Sequence, residues 1–236
     1  MDENQKAIAA MHAVTISREY GSGGGEVAAR LAQRLEWQLV DHQIVAEAAR
    51  ELDTHETVVQ AHDEHAASVF SRLFGWPFPT TSQETQAYHE KLHHLVESAA
   101  NSGHVVIVGR GGQVLLADRR DVLHVRVVAP LEQRVAYVVH REGLDTDAAR
   151  KRVQEKDRAR ARYAQTQFHS QSDDPHLYDL VINTAILDLD SAVDLICQAL
   201  VHKASRLSVP AEEMGPAAGL SRYPGQPADF PVPPRP

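Results

Sequence analysis

Residues 14–35 constrain the fold of this chain most. They open as a short β-rich run, Val14-Thr15-Ile16, and pass through Gly21, Gly23, Gly24 and Gly25. They continue with Val27, Ala28, Leu31, Ala32 and Leu35 at helical spacing. A strand, a glycine loop and a helix in that order make a phosphate cradle. Without Cβ atoms in the way the backbone N–H groups converge, and the helix N-terminus adds positive potential. The same order also reads as a glycine-rich turn with no ligand. Four glycines within residues 21–25 are more than a turn needs, and Arg18 and Arg30 are nearby cations.

The usual P-loop closes on Gly-Lys-Ser/Thr. Here Gly24 stands at the lysine position and Gly25 at the hydroxyl position. Any phosphate site must therefore draw its charge from elsewhere.

A chain of 236 residues is long enough for one large domain with a full core. The net charge of −8 argues against a general nucleic-acid binder. A single cysteine, Cys197, excludes an intrachain disulfide framework and fits a reducing compartment. Asp2 and Glu3 stand where a signal peptide would be basic, and no apolar run approaches the roughly 20 residues that span a bilayer. The expectation is a soluble cytoplasmic protein with no membrane partner; the oligomeric state is open.

Taken in order, Gln38-Leu39-Val40 reads as a second strand ending at Asp41, and 43–52 as a helix. Residues 53–103 are polar and His-rich, with helical periodicity around 56–73 and 84–100 and a break at Gly75-Trp76-Pro77-Phe78-Pro79. They form the expected helical insertion. His104 to Val108 is a continuous apolar run typical of a buried parallel strand, stopping at Gly109-Arg110-Gly111-Gly112. A short helix through Leu116, a strand from Val122 to Val128 and a helix from Pro130 to about Arg141 follow. Gly143 ends that helix, 145–168 is a long charged helix, 178–182 the last strand and 189–204 the last helix. Strands alternating with helices predict an α/β three-layer sandwich with a central parallel sheet, its ligands at the carboxyl ends of the strands. Arg18 to Gly25, Asp41 and Arg110 all fall there. Residues 1–205 are expected as one domain. Residues 206–236 hold eight of the twelve prolines and are expected as a disordered or polyproline-like tail.

Four separated motifs resemble the cytidylate kinase-like family, a branch of the P-loop nucleoside monophosphate kinases. They are Ser17-Arg18-Glu19-Tyr20-Gly21-Ser22-Gly23-Gly24, Val108-Gly109-Arg110-Gly111, Val125-Arg126-Val127-Val128-Ala129-Pro130 and Tyr178-Asp179-Leu180-Val181-Ile182-Asn183-Thr184. The likeness spans about residues 13–202. It implies a P-loop sheet domain, an inserted substrate-binding region at 53–103 and an arginine-bearing lid at 145–170. It implies ATP and Mg²⁺ as cofactors and transfer of the γ-phosphoryl group to a nucleoside monophosphate, CMP or dCMP, or to another small acceptor. By position, Arg18, Gly21, Ser22, Gly23, Gly24, Gly25 and Glu26 would hold the donor phosphates and Arg110 the acceptor phosphate. Arg158, Arg160 and Arg162 would close over the group in transit. The chain departs from authentic cytidylate kinases at the missing lysine, at Gly111 where they carry the aspartate of Gly-Arg-Asp, and at Val108 where they carry an acid.

Phosphoryl transfer needs positioning and charge neutralisation more than covalent chemistry, and arginine's planar fork suits phosphate. On helical geometry Arg158 and Arg162, four apart, share a face, and Arg160 points away from it. Asp41 is the candidate acid near Mg²⁺ and equally an N-cap for the next helix. Arg110 reads also as half of a structural ion pair, and 150–162 as a solvated helix. Two other functional classes stay open. One is a nucleotide-binding protein without turnover, in keeping with the missing lysine. The other is a zinc hydrolase, since His89-Glu90-Lys91-Leu92-His93 satisfies His-Glu-x-x-His, although 14 histidines make chance matches easy and no third ligand is identifiable.

Overall fold

The computed structural model describes residues 7–41 and 82–215. The expected helices over 43–52 and 56–73, the break at 75–79 and the tail from 216 onward lie outside the described residues.

Five strands form one parallel sheet. They are β1 (Ala13–Arg18), β2 (Gln38–Val40), β3 (Val105–Val108), β4 (Val122–Val128) and β5 (Leu180–Asn183), in the order β2-β3-β1-β4-β5. The helices are α1 (Gly24–Leu35), α2 (Ser82–Ser102), α3 (Gly112–Leu115), α4 (Leu131–Glu142), α5 (Thr146–Phe168) and α6 (Leu189–Ala204). Their ends follow from local chemistry. Asp145 accepts from Ala148 N at 2.8 Å to start α5, and Asp188 accepts from Ser191 N at 2.7 Å to start α6. Gly143, with φ 67°, ends α4.

The period-two alternation of the strands divides the core between two faces. Val14, Ile16, Val106, Val108, Leu123, Val125 and Val127 pack on α1 and α6. Ala13, Val105, Ile107 and Val122 pack on the other face against Leu92, Val96 and Ala100 of α2 and Leu116 after α3. Helices α4 and α5 meet through Val135, Val138, Ala149 and Val153. The result is an α/β three-layer sandwich in which β1 runs through a glycine loop into α1, as a P-loop fold does.

The second face turns polar toward the carboxyl ends. Thr15 stands opposite His124, and Ser17 opposite Arg126. Thr15 Oγ1 lies 2.7 Å from His124 Nδ1, and Arg126 Nη1 donates to Ser17 Oγ at 3.2 Å. Strand β1 ends at Arg18 in register with Val127, while β3 ends level with Ile16. Arg18 and the Gly109-Arg110-Gly111 turn are therefore brought side by side at the centre of the sheet.

Candidate active site

Helix α1 begins with Gly23 as its N-cap, at φ 76° and without a side-chain cap. Val27 N donates to Gly23 O at 3.0 Å. The N–H groups of Gly24, Gly25 and Glu26 find no acceptor among the described residues, which is the condition for holding an anion. Ser22 acts inside the fold: its buried hydroxyl points at Glu19 O (2.9 Å) and Val127 O (3.1 Å). Its carbonyl accepts from Thr184 Oγ1 at 2.8 Å, so the Asn-Thr motif after β5 fastens the loop.

The loop glycines answer mostly to packing. A Cβ at Gly21 would lie 2.7 Å from Arg134 O, one at Gly23 2.7 Å from Leu189 Cδ2, and one at Gly24 2.6 Å from Arg18 Cβ. Gly25 alone faces open space. The volume in which a lysine at residue 24 would begin is thus taken by the stem of Arg18.

Three arginines converge behind this loop. Arg18 lies half-buried with its Nη1 where a Cβ of Gly109 would be. Arg110 holds a left-handed backbone, φ 58°, between Gly109 and Gly111 at φ 76° and 72°. Such a conformation costs a β-carbon residue of order 1 kcal/mol or more and marks functional sites. Arg160 reaches in from α5, donating from Nη1 to Arg18 O at 2.8 Å with its guanidinium 5.4 Å from the Tyr20 ring centroid. Burial, and then the like charges of Arg160 and Arg110, push the Arg18 guanidinium well below its ordinary value; Asp41 acts the other way. Burial likewise lowers Arg160, with Asp157 opposing. The guanidinium groups of Arg18 and Arg110 make no hydrogen bond to a described residue. A crowded set of cations with unused donors is a site for a polyanion.

A frame of paired side chains fixes α5 to the loop. Asp157 accepts from Tyr20 N at 2.8 Å and from Arg134 Nη1 at 2.5 Å. Arg134, 7% exposed, also donates to Ala129 O (2.8 Å) and Tyr20 O (3.0 Å) and lies 3.4 Å from Glu19. Tyr20 Oη donates to Glu142 at 2.5 Å. The Phe168 ring fills the space a Cβ of Gly111 would need, and it stacks on His93 with centroids 5.5 Å apart. That packing accounts for glycine where the resemblance leads one to look for aspartate.

The expected site residues are therefore only partly brought together. Arg18, Gly24, Gly25, Arg110 and Arg160 gather at one place, with Asp41 after β2 close enough to act on Arg18. Arg158 and Arg162, expected as the inward pair, are exposed, and Arg158 reaches only Gln154 at 3.4 Å. The reason is the turn of α5: its buried residues Ala149 and Val153 share a stripe with Arg160. Glu26 directs its carboxylate to Arg30 (3.5 Å) and Arg141 (3.1 Å), leaving its N–H as its contribution to the loop. Glu19 and Tyr20 lie within the first motif but carry no expected role there, and Arg134 and Asp157 lie outside all four motifs. Arg134 did leave a signal, since it shares the apolar stripe of Leu131, Val135 and Val138.

Among the described residues no group of three or more His, Cys, Asp or Glu could hold a metal ion. Mg²⁺ needs less, taking one or two carboxylates together with substrate phosphates. Three carboxylates lie beside the arginines: Asp41, whose charge acts on Arg18, and Glu19 and Asp157, both paired with Arg134. The His89 side chain lies outside the described part, and His93 is engaged with Phe168.

The sequence profile of the cytidylate kinase-like family matches residues 13–186. The chain belongs to the cytidylate kinase-like family. It is 30% identical to the cytidylate kinase of Methanopyrus kandleri over 131 residues, 52% of this chain and 68% of that one. It is also 30% identical over 114 residues to the uronate isomerase of Corynebacterium glutamicum, spanning 48% of this chain but only 22% of that protein's length. Among solved structures, an uncharacterized protein from Eubacterium ventriosum matches with a TM-score of 0.63 at 23% identity, over 80% of this chain and 98% of that one. That likeness speaks for the fold. Membership of the cytidylate kinase-like family supports a nucleotide-kinase-like phosphotransferase. No helix among the described residues is long and apolar enough to cross a membrane.

Proposed function

We propose that the protein transfers the γ-phosphoryl group of ATP to a small acceptor, with CMP or dCMP as the first candidates. The observation that carries this reading is the convergence of Arg18, Arg110 and Arg160 on a glycine loop whose N–H groups at Gly24, Gly25 and Glu26 have no partner among the described residues. The loop N–H groups hold the donor phosphates. Arg18 supplies the charge a P-loop lysine would bring, and Arg110 holds the acceptor phosphate. Arg160 takes up charge on the group in transit, where an arginine is worth most. Mg²⁺, when bound, would supply positive charge to neutralise the donor phosphates. Asp41 fits the metal side of the cluster. Residues 145–170 act as the lid and 53–103 as the acceptor region.

The experiment is a panel of nucleoside monophosphates and other small acceptors with ATP and Mg²⁺, scored for ADP. Turnover with CMP or dCMP above all others is the expected result. ATP binding with no turnover on any acceptor would overturn it. It would leave the second reading, a nucleotide-binding protein without catalysis, which the exclusion of a lysine at residue 24 favours.

A further inference from the structure

A second cleft, of about 470 Å³, lies at the other end of the sheet. It opens at the amino-terminal side of β4 and β5, bounded by the turn before β4, by α6 and by the segment after it. Its volume falls in the range of small-molecule sites. Four cations, Arg119, Arg120, Lys203 and Arg206, line it together with His202, and Asp179 is the one acid among the lining residues. In a chain of net charge −8 such a concentration of cations needs a reason.

Two of these cations have partners. Arg119 binds Asp121 at 2.6 Å, and Lys203 Nζ binds Asp179 at 2.6 Å. Among the described residues Arg120 and Arg206 meet no acidic group. Arg120 donates to the carbonyl of Arg206, at 2.7 Å, and both arginines line the cleft. The Arg206 guanidinium and the His202 ring meet no acceptor among the described residues. Between these cations the wall is apolar, formed by Leu123, Ala199 and Leu207. Arginines without acceptors above an apolar wall match a ligand that is anionic at one end and apolar at the other. Two arginines, with Lys203 alongside, favour the multiple charge and several acceptor oxygens of a phosphate.

We infer that this cleft binds a small phosphorylated molecule with an apolar body, its phosphate on Arg120 and Arg206 and its body against Leu123, Ala199 and Leu207. It is separate from the glycine loop, which lies at the carboxyl ends of the same strands, so its ligand does not compete with a nucleotide there.

The test is calorimetric titration of the full chain with 1-naphthyl phosphate, 1-naphthol and inorganic phosphate. Saturable one-site binding of 1-naphthyl phosphate is expected, at least tenfold tighter than either fragment. Arg120→Ala/Arg206→Ala, or Arg206→Glu alone, should weaken it tenfold or more, and Arg18→Ala should leave it unchanged. Circular dichroism confirms that the variants fold. The inference is overturned by absence of saturable binding or by equal affinity for inorganic phosphate. It is equally overturned if Arg18→Ala abolishes binding while the Arg120 and Arg206 variants retain it.

Discussion

Installing the lysine that the loop lacks tests whether Gly24 and Arg18 form one unit. In Gly24→Lys the new Cβ would sit 2.6 Å from Arg18 Cβ, 3.1 Å from Arg18 Cγ and 3.2 Å from Val127 Cβ. Carbon atoms prefer about 3.5–4.0 Å. The two Cβ neighbours are fixed to β1 and β4, so no change of rotamer moves them aside. Overpacking costs roughly 1–3 kcal/mol, and with both neighbours fixed the upper part of that range, about 2–3 kcal/mol, applies. Replacing a helical glycine returns about 1 kcal/mol at most. The net loss is about 1–2 kcal/mol, and at roughly 2–4 °C per kcal/mol for a domain of this size the midpoint should fall by about 2–8 °C. Thermal unfolding followed by circular dichroism reads it. Gly25→Ala is the control: its Cβ meets nothing within 4 Å, so the midpoint should hold or rise. Arg18→Gly removes both Arg18 contacts, and the double variant should lose less stability than the two single variants summed. Additive losses, or a Gly24→Lys protein as stable as the parent, would refute the idea that Arg18 occupies the lysine's place.

Three further outcomes follow from the same geometry. Gly25→Glu sets a carboxylate at the unpartnered loop N–H groups and should weaken ATP binding at least tenfold with the midpoint unchanged; Gly23→Val is a poorer probe, because its side chain meets Leu189 and unsettles the fold. Arg160→Ala should lower kcat on the order of 10³-fold while ATP still binds, whereas Arg158→Ala and Arg162→Ala stay near the parent; the reverse ranking would sink the assignment of Arg160. Burial holds His124 below the ordinary histidine range, so its neutral form, bonded to Thr15 and the Leu116 carbonyl, is the one that folds. Its contribution is complete above about pH 6.5 and is lost as pH falls through the depressed folded value. His124→Gln should therefore flatten the fall in midpoint below pH 6.5, and an unchanged slope would count against it.

The sheet was legible because its signals are local. The run Val105-Val106-Ile107-Val108 is buried at every position, as a central parallel strand requires. Gly143 and the aspartates at 145 and 188 mark helix ends by their own backbone and side-chain chemistry. The direction of α5 was legible too, by a different measurement. Counting about 100° per residue from Ala149, Val153 falls at about 40° and Arg160 at about 20°, whereas Arg158 and Arg162 fall near 180° and 220°. Spacing among the arginines alone says which of them share a face; only the apolar stripe says which face is inward. Phe168 filling the space beside Gly111, and Asp157 meeting Tyr20 N, join residues far apart in the chain. No periodicity carries such contacts.

The proposed exchange of lysine for arginine has a structural consequence. A P-loop lysine grows from the first turn of the helix that holds the phosphates, so the loop positions it without help. Arg18 comes instead from the end of β1 and must be presented from outside. Gly109 makes room for its guanidinium, and Arg160 caps its carbonyl at 2.8 Å. Arg160 is in turn set by the Tyr20 ring, and Tyr20 N by Asp157, whose other oxygen is held by the buried Arg134. Removing Asp157 would leave a buried cation with one carboxylate fewer and a loop N–H without its acceptor, a change of the kind that costs several kcal/mol. The loop and α5 are consequently one mechanical unit. On the proposed reading, a lid carried by α5 would have to break the Asp157 and Arg160 contacts to open, and in doing so would withdraw the support that places Arg18. Charge delivery and closure would then be coupled through these residues, which a lysine-bearing loop does not require.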